Sequence, residues 1–181
     1  MRIIKSMEKK YLVPALELVE GVFTDSECAE NGKLVRSLVA EIRSKRWYLP
    51  ELELIMVTET DEIIGYCMFS RFHLEGKYED ELLLLSPVAV KTELQRQHIS
   101  RELIEYGFEK AKAMGYKAVI VEGNPMNYRS RGFVTSADYG IIAHASVDLP
   151  APECLMVKEF VPGGLDGIHG QVCYADYECL R

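Results

Sequence analysis

The sequence predicts an α/β (α+β) domain with a mixed, mostly antiparallel central sheet, splayed between two parallel strands, and helices on both faces. Four observations predict it. The run Leu82-Leu83-Leu84-Leu85-Ser86-Pro87-Val88-Ala89-Val90 is dense in Leu and Val, as a strand buried on both faces is. Pro87 inside it has no N–H for a ladder hydrogen bond, so the strand should be bulged or splayed near Ser86 and Val88. A helix and a second apolar strand follow, and a strand–helix–strand crossover joins parallel neighbours. Upstream, the apolar stretches 52–58 and 63–72 flank Glu59-Thr60-Asp61-Glu62, the pattern of an antiparallel hairpin.

The remaining elements follow in order. Residues 1–5 alternate as a short first strand. Residues 9–23 carry apolar side chains at Leu12, Ala15, Leu16, Val19, Val22 and Phe23, a helical spacing with Pro14 tolerated only near the first turn. Residues 24–31 are a polar break. A second helix carries Leu34, Leu38, Val39 and Ile42 as far as Lys45, and Pro50 marks the loop after it. Residues 79–90 form the central strand. The long helix opens at 97–100 and presents Ile99, Leu103, Ile104, Phe108, Ala111 and Met114 on one face. Gly115 suits a left-handed cap, and 116–122 read as the parallel strand. Beyond Phe133 the pattern weakens to a strand over 154–161, a turn-rich loop over 162–170 and a last strand over 171–174. The glycines at 163, 164 and 167 are turn residues, since no Lys-Ser/Thr pair and no helix follow them.

With 181 residues, 48% of them hydrophobic, and no repeat, low-complexity tract or linker, residues 1–181 read as a single domain with a sizeable core. Acidic residues number 28 against 21 basic, a net charge of -7, so no basic face is expected to displace counterions from nucleic acid. An acidic surface suits a cationic partner such as an amine. No apolar run approaches a membrane span, and the charged N-terminus lacks a signal-peptide core, so the expectation is a cytoplasmic protein. Five cysteines without paired short spacing point to reduced thiols, with Cys67 a small core residue. The four histidines lie far apart, so no metal site is expected.

The chemistry concentrates between 82 and 133. Backbone amides at the start of the long helix point back at the strand end, an arrangement suited to phosphate. There, Gln95-Arg96-Gln97-His98-Ile99-Ser100 occupies the position of a Gln/Arg-x-x-Gly-x-Gly/Ala loop, with Val88-Ala89-Val90 before it and Arg101-x-Leu103-Ile104 after it. Gly123-Asn124-Pro125-x-x-Tyr128-x-x-x-Gly132-Phe133 closes the block. This segment resembles the core of the GNAT superfamily of acetyl-CoA-dependent N-acetyltransferases. The resemblance covers most of the chain, weakly before Leu52. The stretch Met156-Val157-Lys158-Glu159, with Gly163, Gly170, Val172 and Tyr174, looks like one bacterial branch. Both loop glycines are replaced, by His98 and Ser100.

The resemblance implies acetyl-CoA as cosubstrate, no metal, and direct attack by an amine in a ternary complex. Gln95, Arg96, Gln97, His98, Ile99, Ser100 and Arg101 would hold the pyrophosphate. Backbone groups of Val88, Ala89 and Val90 would polarise the thioester carbonyl. Tyr128 would protonate the leaving thiolate, and Asn124 would bond the pantetheine arm or orient water. The acceptor would be a small-molecule or peptide amine, not nucleic acid or membrane, and the protein a monomer or homodimer. The base is not legible among Glu79, Glu81, Glu122 and His73. The lost glycines raise an alternative, a degenerate acyl-CoA-binding or sensing module without turnover. A transferase using a longer acyl-CoA is a third reading.

Overall fold

The computed structural model describes residues 1–181. The chain runs through β1 (Arg2–Ser6), α1 (Leu12–Ser26), α2 (Ala29–Arg43) and a hairpin of β2 (Glu53–Thr58) and β3 (Ile63–Arg71). Next come β4 (Leu82–Val90), α3 (Ile99–Ala113), β5 (Ala118–Glu122) and the short α4 (Pro125–Tyr128). Four strands close the chain: β6 (Val134–Thr135), β7 (Ile141–Ala143), β8 (Leu155–Glu159) and β9 (Gly170–Val172). Strand order in the seven-stranded sheet is β1-β2-β3-β4-β5-β8-β6, mostly antiparallel, while β7 and β9 form a separate pair. Contacts divide the chain into two compact units, one of Met1–Ser70, Ser86–Gly107 and Tyr177–Arg181, the other of Arg71–Leu85 and Phe108–Asp176.

In the first unit β1 pairs antiparallel with β2, and β2 with β3, Leu54 lying opposite Cys67. Both hairpin strands are buried almost throughout, which is why they read as apolar runs without alternation. Helices cover both faces. On one, a Cβ at Gly65 would lie 2.5 Å from Ile99 Cγ2 and 2.9 Å from Leu103 Cδ1, so the missing side chain lets α3 approach. On the other, Tyr66 donates to Glu53 Oε2 at 2.6 Å, and Arg43 of α2 reaches the same oxygen from Nε and Nη2 at 2.8 Å each. Tyr48 donates to Glu53 Oε1 at 2.5 Å. Glu53 is fully buried, and a carboxylate survives there only because it is paired and hydrogen-bonded on both oxygens. Burial, reinforced by that carboxylate, pushes the Tyr66 phenol well above its ordinary pKa. Cys67 is a buried free thiol, pushed up by burial alone, and all five cysteines are free.

In the second unit β4 pairs in parallel with β5, Leu82–Leu84 facing Ala118–Ile120. That register covers three residue pairs and ends before Pro87, whose bond to Ser86 is cis. Antiparallel β8 follows, with Leu155 opposite Glu122, and β6 lies outside it. Phe108 centres an aromatic cluster, 5.8 Å from the Phe133 ring and 5.7 Å from Phe160.

Several boundaries differ from those the sequence suggests. Helix α1 runs on to Ser26 and α2 starts at Ala29, so most of the stretch read as a break is helical; only Glu27 (φ -130°, ψ -85°) and the extended backbone of Cys28 (φ -163°, ψ 167°) interrupt it. Strand β4 begins at Leu82, because the amides of Glu81 and Leu82 both turn back to the Tyr78 carbonyl. The last strand leaves the main sheet and pairs in parallel with β7. Strands β6 and β7 are two and three residues long, too short to show a period. Gly115 is left-handed (φ 97°) after α3, as its position suggests.

Candidate active site

The residues singled out above fall into two groups. Val88, Ala89, Val90 and 95–101 belong to the first unit, Asn124 and Tyr128 to the second.

In the first unit, burial alternates along the end of β4: Ala89 points into the core, while Val88 and Val90 are half-buried. The chain stays tied to β3 just beyond, through Lys91 N–H to the Ile64 carbonyl at 2.9 Å. Gln95 folds back so that Nε2 donates to the Val90 carbonyl at 3.4 Å, joining the loop's first residue to the strand's last. Arg96 and His98 both adopt left-handed backbone, φ 63° and 64°. An L-residue there costs about 1–2 kcal/mol relative to glycine. The loop therefore keeps a glycine-like path although His98 replaces the glycine. The His98 carbonyl accepts the Glu102 amide at 2.9 Å and so opens α3. The amides of Ile99 and Arg101 in the first turn then have no acceptor within the helix. Gln95, Arg96, Gln97, His98 and Arg101 are exposed, Ser100 is half-buried and Ile99 is buried. Arg101 is ion-paired along the helix with Glu105 at 2.9 Å. Arg2 Nη1 donates to the Gln97 carbonyl at 3.4 Å.

In the second unit the motif from Gly123 to Phe133 folds as a seat for one ring. The Gly123 amide donates to the Cys154 carbonyl at 2.9 Å, extending β5 past its last paired residue. Asn124 Oδ1 accepts the Met126 amide at 2.9 Å, capping α4 with Pro125 as its first residue. That bond commits the Asn124 oxygen to the turn. Tyr128 ends α4, with its ring edge-on to Phe133 at 5.6 Å and 81°. A Cβ at Gly123 would lie 2.6 Å from Tyr128 Cε2, so only glycine leaves room for the phenol ring. Gly132 is left-handed (φ 89°) and returns the chain so that the Phe133 amide meets the Tyr128 carbonyl at 3.3 Å.

The base candidates also lie in this unit. Glu122 Oε2 accepts the Tyr174 hydroxyl at 2.8 Å, a contact between residues 52 apart that no local spacing announces. His73 Nε2 lies 2.5 Å from Asp176 Oδ2, and its Nδ1 accepts the Gly76 amide at 2.8 Å. Glu81 lies 3.8 Å from the Lys117 ammonium. No group of three or more His, Cys, Asp or Glu side chains is placed to hold a metal ion.

Residues 21–139 match the model of the acetyltransferase (GNAT) family. The chain belongs to that family. Its enzyme class is accordingly N-acetyltransferase, and the sheet with one parallel pair is the GNAT fold. The chain is 26% identical over 127 residues to the uncharacterized N-acetyltransferase YhbS of Escherichia coli K12, covering 70% of this chain and 73% of that one. It is 29% identical over 123 residues to the uncharacterized N-acetyltransferase YjhQ of the same strain, covering 67% of each. A crystal structure of Escherichia coli YhbS in complex with CoA superposes with a TM-score of 0.84 at 22% identity, over 97% of this chain and 91% of that one. A GNAT acetyltransferase from Brucella melitensis in complex with acetyl-CoA gives 0.76 at 20% identity, over 100% and 99%. These two share the GNAT fold with the present chain. No helix of this GNAT chain is long and apolar enough to cross a membrane.

Proposed function

We propose that this chain binds acetyl-CoA and transfers its acetyl group to a small-molecule or peptide amine by direct attack in a ternary complex. The observation that carries the reading is the backbone of the loop before α3. With Arg96 and His98 both left-handed and α3 opening at the His98 carbonyl, main-chain amides gather at a helix N-terminus. Such a concavity binds phosphate through the backbone, whatever side chains it carries. The loss of two glycines therefore does not argue for a degenerate module. Solved GNAT relatives hold CoA and acetyl-CoA, in keeping with this reading.

Each group then has a task. Amides within 97–101, backed by Gln95 and Arg96, hold the pyrophosphate, and the helix dipole adds about 0.3–1 kcal/mol. Backbone groups of Val88, Ala89 and Val90 polarise the thioester carbonyl. The Tyr128 phenol protonates the departing thiolate. Asn124 acts chiefly by fixing the turn that carries Tyr128. The reaction needs no metal. Residues 1–181 work as one catalytic domain, as a cytoplasmic monomer or homodimer.

Two measurements test the reading. Calorimetry should show CoA binding, and CoA thiol should be released from acetyl-CoA in the presence of some member of a panel of amines, amino acids and peptides. Binding without release under any acceptor would favour the sensing module. No binding would sink both.

A further inference from the structure

We propose that Glu122 takes the proton from the acceptor amine, with Tyr174 holding its carboxylate in place; the assignment rests on the N-acetyltransferase reading above. Along an extended strand successive side chains point to opposite faces. Glu122, the last residue of β5, shares its face with Leu155, its register partner on β8. The next residue, Gly123, directs its Cβ position at the Tyr128 ring, 2.6 Å from Cε2. Carboxylate and phenol ring thus both stand at the same end of β5. Acyl transfer needs such a pair, a base on the side of the incoming nitrogen and an acid on the side of the outgoing sulfur.

The other candidates are placed or bonded wrongly for this task. The Glu81 carbonyl accepts the amides of Lys117 and Ala118 at 2.8 and 3.2 Å, which puts it at the opposite end of β5. Four residues of strand, about 13 Å, separate that end from Glu122. Glu79 precedes Glu81 by two residues in the same approach to β4. His73 accepts the Gly76 amide on Nδ1 and pairs with Asp176 through Nε2. Both ring nitrogens are therefore already engaged within the protein. Glu122 is exposed and forms no salt bridge, and the Tyr174 hydroxyl engages Oε2, leaving Oε1 to face an incoming amine.

The protons balance. An ammonium acceptor gives one proton to Glu122, and the freed lone pair forms the C–N bond at the thioester carbonyl carbon. The C–S bond breaks, and sulfur takes the Tyr128 proton. The second nitrogen proton restores the phenol. The products are the amide and CoA thiol, with one proton passed from Glu122 to water.

The test follows thiol release from acetyl-CoA with tyramine, spermidine and lysine methyl ester as acceptors, alongside CoA affinity by calorimetry. Glu122→Gln should cut turnover at pH 7 by about 10²–10⁴ with CoA affinity unchanged. The deficit should narrow toward pH 10, where the amine sheds its proton unaided. Added formate should restore part of the activity of Glu122→Ala, a response that lost packing cannot give. Tyr174→Phe should lower kcat by a smaller factor while KM for acetyl-CoA holds. Wild-type turnover matched by Glu122→Gln would overturn this assignment alone, as would a loss that neither formate nor high pH relieves. A wild-type protein that binds acetyl-CoA yet acetylates none of the probes would count against the transferase reading and take this assignment with it.

Discussion

At position 128 the ring does the packing, edge-on to Phe133 and seated on Gly123, and the hydroxyl is what chemistry would use. Tyr128→Phe should therefore fold normally and lose about 10²–10³ in turnover, with CoA affinity barely changed. The loss should shrink at lower pH, where solvent protonates the thiolate; equal turnover in the two proteins would make Tyr128 a packing residue only. His98 poses the opposite question, because its backbone is that of a glycine while its side chain is not. His98→Gly removes a left-handed penalty of about 1–2 kcal/mol and adds about 0.5–1 kcal/mol of unfolded-state entropy. Denaturant unfolding should show a small net gain in stability, and calorimetry a modestly tighter CoA complex. A weaker complex would mean that the imidazole itself helps to hold phosphate.

Among elements, the turn from β5 into α4 depends on a single glycine. Gly123→Ala would drive a Cβ to 2.6 Å from the Tyr128 ring, so the ring must shift. Turnover should fall while the far-UV circular dichroism and CoA affinity stay near wild type; unchanged turnover would show that the ring position is not critical. The C-terminal turn is pinned to α2 by another device. Glu41 accepts the Glu178 and Cys179 amides at 2.8 and 2.9 Å and pairs with Lys45 at 2.7 Å. Burial alone would raise its pKa, but the Lys45 ammonium and those two amides outweigh it and lower the carboxyl from 4.5 to about 2. A depressed folded pKa means that the stabilisation is complete above the ordinary value and is lost as pH falls through the folded one. Amide exchange at Glu178 and Cys179 should thus accelerate, relative to the core amides, as pH drops from 4.5 toward 2. Protection that stays constant over that range would show the contact to be dispensable.

For the molecule as a whole, ligand binding should register as stability. CoA at a hundred times its Kd adds about 2.7 kcal/mol to a fold that binds it only when native. For a chain of this size that is a rise in Tm of roughly 5–10 °C. An unmoved melting curve at saturating CoA would sink the proposed function at its first step. The acidic balance of 28 to 21 adds a second constraint at this scale, favouring cationic acceptors by long-range attraction that salt should weaken.

The sequence by itself determined what short-range patterns encode. The Leu- and Val-rich strand, the helical period from Ile99 onward and the glycine after it specify a crossover, and that crossover is parallel as expected. The block from Gly123 to Phe133 was legible as a motif, but the short helix that Asn124 caps and the seat that Gly123 leaves for the Tyr128 ring emerge only in the structure. Tertiary structure alone decided the rest. His98 is left-handed because the path from Val90 into α3 requires it, not because histidine prefers it. Glu53 is a charged residue in an apolar run, and only the arrival of Arg43, Tyr48 and Tyr66 makes its burial tolerable. The parallel pairing of β7 with β9 and the bond from Tyr174 to Glu122 join segments far apart in the chain. Periodicity says which face of a segment is apolar; which distant surface meets it is settled only when the whole chain packs.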